Sequence, residues 1–328
     1  MTIRLHIGAA LAGALTLAAV AAPAVAQNWR GWNIHPEGYP NTTAIEQFAK
    51  DVATATDGRI TAKVYNGGIL GDQPDAIDQL RAGALNFANF NLGPMGPVVP
   101  ATDIVSLPYL FKSPAQMHRV MDGPVGREFA KAMAKKDIIA LSWYDGGSRS
   151  FYNTKHPIKT PADLKGLKLR VMNNDLYVQM VAQLGGNATP MAYGEVFQSL
   201  KTGVIDGAEN NFPSYDSSNH YEVAKYYSID NHLILPECLC VAKKTWDGMS
   251  KADQAAVRKA AIASAQLQRK LWAQQVQKSE TKVEASGVKV NEVADLGAFQ
   301  ARMTPIYTKF EKAHPKLTPI IKQIQATK

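Results

Sequence analysis

The chain has 328 residues, of which 36 are Lys or Arg and 28 are Asp or Glu, so its formal net charge is +8. This length suits two domains of ordinary size. The positive charge is scattered over lysines and forms no basic run, which argues against nucleic acid as a partner. A mildly positive field instead favours the capture of small anions.

The first 26 residues are typical of a secretory signal peptide. Arg4 precedes an apolar run from Ile7 to Val20, and Ala24-Val25-Ala26 supplies a small-residue cleavage site. The apolar run is short for a membrane span of about 20 residues, so a membrane anchor is the less favoured interpretation. We therefore predict cleavage after Ala26 and export to the periplasm.

The mature chain alternates between helix and strand patterns. Thr43-x-x-Glu46 fits a capping box and predicts a helix that ends near Gly58. The pattern continues with a strand at Ile60–Val64, a helix from Pro74 to Gly83 and a strand at Leu85–Phe90. Alternation of this kind predicts an α/β fold with a mainly parallel sheet.

The second half repeats the alternation. Its predicted elements are a strand that ends near Arg170, helices at Leu176–Leu184 and Glu195–Lys201, and strands at Val204–Ala208 and Leu233–Val241. Residues 250–285 contain no Gly or Pro and predict one helix of roughly 50 Å, with Gly287 as its expected end. Such a helix is long enough to bridge two domains.

Cys238 and Cys240 are the two cysteines of the chain. They lie two positions apart on a predicted strand, so both point to the same face. Because a bond between such close neighbours departs from the usual disulfide geometry, we expect two buried thiols that pack as small apolar residues. A redox pair or half of a metal site is the alternative, but no His or further Cys lies nearby at ligand spacing.

Polar side chains lie at the ends of two predicted strands. Arg170 lies near the end of one, and Glu209, Asn210 and Asn211 follow the strand Val204–Ala208. In a parallel sheet such positions face the crevice where ligands bind, and a guanidinium can hold a carboxylate through two hydrogen bonds. From spacing alone, this role and a surface ion pair are equally open interpretations of Arg170.

The chain resembles the substrate-binding proteins of tripartite ATP-independent periplasmic (TRAP) transporters, of the DctP type, over essentially its whole mature length. The order and spacing of several short motifs together carry the resemblance. These motifs are GGILGD at 67–72, SLPYLF at 106–111, GSRSFYN at 147–153, LKGLKLRV at 164–171 and GEVFQSLKTGVIDGAENN at 194–211.

The resemblance implies a periplasmic-binding-protein-like fold, with two α/β domains, a central cleft and a long helix that spans both domains. Domain I is expected to comprise 27–148 and 236–275, and domain II 149–235 and 276–328. The implied function is capture of an organic acid by domain closure and delivery to a permease with a small and a large membrane subunit. We expect a monomer without enzymatic activity, cofactor or metal.

By resemblance, Arg170 matches the arginine that binds the ligand carboxylate, Asn210 matches a position that reaches the ligand, and Arg149 matches a second cleft arginine. A loop-capping role for Asn210 and an interdomain ion pair for Arg149 are the alternatives. The remaining candidate ligand-binding residues are Asn33, His35, Asp72, Asn89, Asn91, Trp143, Tyr144 and Glu209. For His35 the alternative is simple exposure, and for the two aromatic residues it is core packing.

One or two arginines among many neutral hydrogen-bonding groups suit a ligand with one carboxylate and several hydroxyls. A small apolar acid would leave donors unpaired, at about 1–3 kcal/mol each. We therefore favour a sugar acid, a uronate or aldonate, over a simple dicarboxylate or other carboxylate. A periplasmic ligand sensor would share the fold, and an exported hydrolase is disfavoured because G-x-S-x-G and H-E-x-x-H motifs are absent.

Overall fold

The computed structural model describes residues 27–327, so the predicted signal peptide lies outside the described residues. Nine strands form there: β1 Gln27–Trp32, β2 Ile60–Tyr65, β3 Phe87–Asn91, β4 Ile138–Asn153, β5 Lys168–Val171, β6 Asn187–Pro190, β7 Gly207–Asn210, β8 Tyr226–Ala242 and β9 Lys289–Glu292.

Helices surround these strands. They are α1 Pro40–Ala55, α2 Gln73–Ala82, α3 Pro114–Asp122, α4 Pro124–Ala134, α5 Asp175–Gln183, α6 Val196–Thr202, α7 Phe212–Ser217, α8 His220–Val223, α9 Lys243–Asp247, α10 Lys251–Ala285, α11 Leu296–Ala313 and α12 Thr318–Ala326. Short 3₁₀ helices lie at Pro100–Ser106, Pro161–Leu164 and Tyr193–Glu195. Within 27–327, no helix combines the length and hydropathy that a membrane crossing requires.

The strands form one sheet in the order β2-β1-β3-β8-β4-β7-β5-β6, and β9 pairs with β8. The α/β class is confirmed, but the expectation of a mainly parallel sheet is wrong at its centre. The long strands β4 and β8 are antiparallel to each other, and each is antiparallel to its other neighbour on the main path, β7 and β3. Parallel pairs flank this centre, so the two crossing strands connect two parallel α/β halves.

The central strand β4 is irregular where it passes the middle of the sheet. Its pairing with β8 shifts register between Asp145 and Ser148, and Gly147 has a φ of 82°. A Cβ at Gly147 would lie 2.5 Å from the ring of Trp272 on α10. Glycine therefore satisfies both the positive φ and the close approach of the long helix at this point.

The predicted long helix is confirmed as α10, and Ser250 caps it by accepting a hydrogen bond from the backbone of Asp253. Near its start, Val257 and Ala261 pack with α1 and the β1 side of the sheet. Near its end, Val283 packs in a separate cluster that includes Tyr227. The helix thus contacts both halves of the sheet, whereas the exact division into two domains stays a prediction.

Two predicted boundaries are wrong. The helix α1 begins at Pro40, before the predicted capping box. A proline is favoured at the first helical position, and the N-cap residue Tyr39 forms no side-chain capping bond. The strand predicted at 204–208 forms instead at β7, after the left-handed Gly203 that ends α6. Glu209 and Asn210 therefore lie within a strand and not beyond its end.

Cys238 and Cys240 form a disulfide within β8, so the expectation of two free thiols is wrong. Both residues are fully buried on the same face of the strand. Their Cα atoms are 5.6 Å apart, which is within the range that a disulfide bridges. Alternation along the strand brought the two sulfur atoms together, and a sequence separation of two did not prevent the bond.

Candidate ligand-binding site

A cavity lies among the ends of β3, β5 and β7, the middle of β4 and β8, and the start of α2. Its empty space is about 560 Å³, mouth included, which is within the range of small-molecule sites. The lining residues are Ile34, His35, Asp72, Gln73, Pro74, Asn91, Pro94, Arg149, Arg170, Met172, Asn173, Met191, Tyr193, Asn210, Asn211, Ser214 and Glu237.

Arg170 supplies a buried positive charge to this cavity. It is 4% exposed, and its Nε and Nη2 donate to the carbonyl of Met191 at 2.9 and 2.7 Å. Within 27–327 it forms no ion pair, and no acceptor is found for Nη1. Burial lowers the pKa of Arg170, but a guanidinium remains charged in proteins. A buried cation of this kind favours an anionic ligand.

Arg149 differs from Arg170 because its charge is already neutralised. Its Nε and Nη2 donate to the carboxylate of Glu209, Nη2 also donates to the Glu209 carbonyl at 2.7 Å, and Nη1 donates to Asn210 at 2.6 Å. Burial opposes its charge, but Glu209 raises the pKa of Arg149 above its ordinary value. Arg149 therefore orients Asn210 and retains one N–H, on Nη1, that can reach a ligand.

A second pair of charged residues, His232 and Asp230, lies next to the Arg149–Glu209 pair. His232 bonds to Asp230 at 2.8 Å and lies 3.4 Å from Glu209. Burial lowers the pKa of His232, but the two carboxylates outweigh it and raise the pKa to about 9. Burial raises the pKa of Glu209, but Arg149 and His232 together lower it to about 2. The four charges cancel, which leaves Arg170 as the uncompensated cation of this group.

These pKa shifts set a pH window for stability. His232 has a raised pKa, so its contribution is complete below about pH 6.5 and is lost as the pH rises through 9. Glu209 has a lowered pKa, so its contribution is present above about pH 4.5 and is lost as the pH falls through 2. Between about pH 4.5 and about pH 6.5, both groups contribute fully to the free energy of unfolding, each by about 3 kcal/mol.

Asn210 presents an amide group to the cavity. Its Oδ1 accepts from Arg149 at 2.6 Å and from the backbone of Asn211 at 2.9 Å. The Tyr227 hydroxyl donates to the Asn210 carbonyl at 2.7 Å and fixes the backbone. With its oxygen occupied, Asn210 has two N–H donors left for a ligand.

Another part of the lining carries acidic and neutral groups. His35 is 6% exposed and stacks on Tyr39 at a ring distance of 3.9 Å, and neither of its ring nitrogens has a hydrogen-bond partner among residues 27–327. Its Nε2 lies 3.6 Å from Oε1 of Glu237. Glu237 also accepts from Asn41 at 2.7 Å and from Asn91 at 3.4 Å. These groups can donate to and accept from ligand hydroxyls.

The cavity brings together several of the positions predicted from sequence. They are Arg170, Asn210, Arg149, His35, Asp72 and Asn91. Asp72 is the N-cap residue of α2, but its side chain forms no capping bond. Asn91 is held by Gln73, which exchanges two hydrogen bonds with the Asn91 backbone at 2.7 and 3.1 Å.

Five other predicted positions do not line the cavity: Asn33, Asn89, Trp143, Tyr144 and Glu209. Asn33 donates to Thr42 and shapes the loop after β1, and Asn89 accepts from Asn41 at 3.3 Å. Trp143 and Tyr144 pack in the hydrophobic core, and the Tyr144 hydroxyl bonds to Ser264. Glu209 is fully buried and acts on the cavity through Arg149.

Part of the lining was not predicted from the sequence: Ile34, Gln73, Pro74, Pro94, Met172, Asn173, Met191, Tyr193, Ser214 and Glu237. Glu237 could have been predicted from the sequence, because it is the single charged residue in the apolar run Leu233–Val241. A charge within a buried strand requires polar partners, and it marks a site more strongly than an exposed one does. Tyr193, whose ring lies 5.8 Å from the Arg170 guanidinium, left no comparable signal.

No group of three or more His, Cys, Asp or Glu side chains that could hold a metal ion is found in the part of the chain that the structure describes. The sequence profile of the family described as bacterial extracellular solute-binding protein, family 7 (DctP), matches residues 33–313. A curated relative from Chromohalobacter salexigens, named solute-binding protein, is 60% identical over 317 residues, which are 97% of this chain and 94% of the relative.

Solved structures of TRAP periplasmic solute-binding proteins resemble this fold closely. One from Chromohalobacter salexigens has bound D-glucuronate, is 62% identical with a TM-score of 0.91, and is matched over 92% of this chain and 100% of its own. One from Roseobacter denitrificans has bound β-D-glucuronate, with 54% identity, a TM-score of 0.91 and the same coverage. One from Sulfitobacter has bound β-D-galacturonate, with 53% identity, a TM-score of 0.90, and coverage of 91% and 99%.

Proposed function

We propose that this chain, which belongs to family 7 of the bacterial extracellular solute-binding proteins, captures a hexuronate such as glucuronate or galacturonate in the periplasm for a TRAP transporter. The relatives that bind these sugar acids support the ligand class, since the similarity extends over nearly the whole chain. The signal-peptide pattern, with cleavage after Ala26, supports export.

The observation that carries the proposal is the unpaired Arg170 guanidinium. In the absence of an acidic partner within 27–327, its free N–H groups can hold the ligand carboxylate through two bonds. The Asn210 amide and the remaining N–H of Arg149 are further donors for the carboxylate or a neighbouring hydroxyl. Two charge-assisted bonds contribute about 1.5–3 kcal/mol each.

The rest of the lining favours a hydroxyl-rich body over a second carboxylate. Asp72 and Glu237 both face the cavity, and a second ligand carboxylate close to either would be repelled. Hydroxyl groups, by contrast, can donate to Glu237 and accept from Asn91 or His35. The arrangement therefore supports a uronate over a simple dicarboxylate.

The mechanism is capture by closure of the two halves of the sheet around the ligand. Residues from the β2-β1-β3 half, such as His35 and Asp72, and from the β7-β5-β6 half, such as Arg170, line the same cavity. A ligand that contacts both sides stabilises the closed form and shifts its population. The closed form then delivers the ligand to the small and large membrane subunits of the permease.

Isothermal titration calorimetry of the purified mature chain tests the proposal. We expect one site for D-glucuronate and D-galacturonate, and at least a hundredfold weaker binding of succinate and malate. Mass spectrometry of the freshly purified protein identifies any sugar acid that copurifies. Tight binding of a dicarboxylate with no response to either hexuronate would contradict the proposal.

A further inference from the structure

A second cavity lies between α4, β4 and α10, and it shares no lining residue with the first. Its empty space is about 1050 Å³, mouth included. The charged and polar lining residues are Asp122, Arg127, Ser142, Arg258, Gln266 and Arg269. This composition is cationic, since it contains three arginines and one aspartate.

Two buried polar atoms in this cavity have no hydrogen-bond partner in the part of the chain that the structure describes. They are the hydroxyl of Ser142, which is 8% exposed, and the Nε of Arg269. In the described part of the chain, the only other buried side-chain nitrogens without a partner belong to His35, which lines the ligand cavity. Unpartnered buried donors are rare and destabilising in folded proteins, so their presence at a cavity points to a missing acceptor.

An irregularity in the backbone of β4 accompanies the position of Ser142 at this cavity. The pairing of β4 with β8 shifts register between Ala140 and Ser142. Irregularities of this kind re-aim a side chain and are frequent next to binding sites. Arg269 is held by two bonds from its terminal nitrogens to Asp122, at 2.6 and 2.8 Å, and by one to the Trp143 carbonyl at 3.0 Å. Its Nε–H and one N–H of Nη1 are thereby left for a ligand, and of these two nitrogens Nε is the buried one without any partner among residues 27–327.

The rim of the cavity carries excess positive charge. Arg258 and Arg269 lie eleven residues apart on α10, which is close to three helical turns and places them on one face. Arg127 lines the cavity from α4. Asp122 is already paired with Arg269, and within 27–327 neither Arg127 nor Arg258 forms an ion pair. Two positive charges therefore remain outside any ion pair of the described residues, although Arg258 lies 4.9 Å from the centre of the Trp246 ring.

We propose that this cavity is a second anion site, which binds a small oxyanion. The Ser142 hydroxyl and the Arg269 Nε donate to it from the buried part of the cavity, and Arg127 and Arg258 supply charge from the exposed rim. The site is separate from the Arg170 cavity, and the inference does not depend on the identity of the ligand bound there.

Two-dimensional ¹H–¹⁵N NMR of the mature protein, titrated with inorganic phosphate at constant ionic strength in sodium chloride, tests this site. We expect saturable shifts of the Arg269 Nε–H signal and of the Ser142 and Trp143 amides. The double variant Arg127→Gln/Arg258→Gln should weaken binding at least fivefold, and Ser142→Ala should weaken it about threefold. The double variant Arg302→Gln/Lys309→Gln, at two exposed positions of α11, also removes two positive charges and is the matched control for the arginine pair; it should change the affinity less than twofold.

Several results would overturn the proposal. Phosphate shifts confined to the surroundings of Arg170 would assign the anion to the first cavity. An equal loss in the Arg302→Gln/Lys309→Gln control would reduce the effect to net charge. Unchanged phosphate affinity in Ser142→Ala would also overturn the proposal, because the proposed site depends on the two unpartnered buried donors and the Ser142 hydroxyl is one of them.

Discussion

Replacing Arg170 with glutamine removes the positive charge of the ligand cavity and leaves the rest of its lining in place. The guanidinium has N–H groups on Nη1 and Nη2 without acceptors among residues 27–327, so two charge-assisted bonds to a carboxylate are lost. At a lower bound of about 1.5 kcal/mol for each bond, the loss is about 3 kcal/mol, or roughly a hundredfold in affinity. Calorimetry with D-glucuronate measures this change directly.

A neutral ligand analogue separates the carboxylate contact from other effects of the substitution. D-glucuronamide keeps the hydroxyls but carries no charge, so it should bind weakly to the wild type and lose little further affinity in Arg170→Gln. The resulting double cycle isolates the coupling between the arginine and the carboxylate. Arg302→Gln, which removes an exposed arginine from α11, controls for net charge.

Two outcomes would contradict a carboxylate contact at Arg170. One is a folded Arg170→Gln protein that binds D-glucuronate within threefold of the wild type. The other is an equal loss for the acid and the amide, which would mean that the substitution distorts the cavity and that no specific carboxylate contact was removed.

Three further perturbations test the surroundings of this arginine. Arg149→Gln leaves Glu209 buried without its partner and should lower the free energy of unfolding by about 3–5 kcal/mol in urea denaturation. Between pH 6 and 9 the contribution of His232 is lost, so stability should fall by about 3 kcal/mol, and His232→Gln should flatten that fall. His35→Phe keeps the stacking on Tyr39 but removes both ring nitrogens, so uronate affinity should fall about tenfold without loss of thermal stability.

Each of these three predictions would be contradicted by a specific result. A change below 1 kcal/mol in Arg149→Gln would mean that Glu209 finds another partner or protonates without cost. An unchanged pH profile in His232→Gln would assign the titration to other groups. A His35→Phe variant with wild-type uronate affinity would remove this histidine from the hydroxyl contacts.

Local patterns predicted the repeating elements well because they depend on residues close in sequence. The absence of Gly and Pro over 250–285 predicted α10, and its observed start is one residue after Ser250. Alternation predicted β2 and β5, and Gly83 ends α2 in a left-handed conformation, as expected of a glycine stop. Short-range interactions are sufficient to decide such features.

These local patterns did not predict which distant strands pair with each other. The antiparallel centre of the sheet depends on β4 and β8, which lie about 90 residues apart in sequence. Alternation also places side chains on faces without saying which strand lies beside them, and this limit hid Tyr193, which meets Arg170 only through the fold. The bond between Cys238 and Cys240 is a different case, because both residues lie on one face of a single strand and the expectation of free thiols was wrong about a local geometry.

By itself the sequence determined an α/β chain with an exported pattern, the long helix, and two arginines that a family resemblance places at a cleft. The resemblance assigned the carboxylate contact to Arg170, but residue patterns could not show which arginine is free of an opposing charge. The tertiary structure decided this, because β4 and β7 pair so that Glu209 faces Arg149 and neutralises it. Among residues 27–327, Arg170 on β5 donates to a carbonyl, lies near an aromatic ring and forms no ion pair. A charge is available only where the packing provides no opposite charge, and packing depends on contacts between residues far apart in the chain.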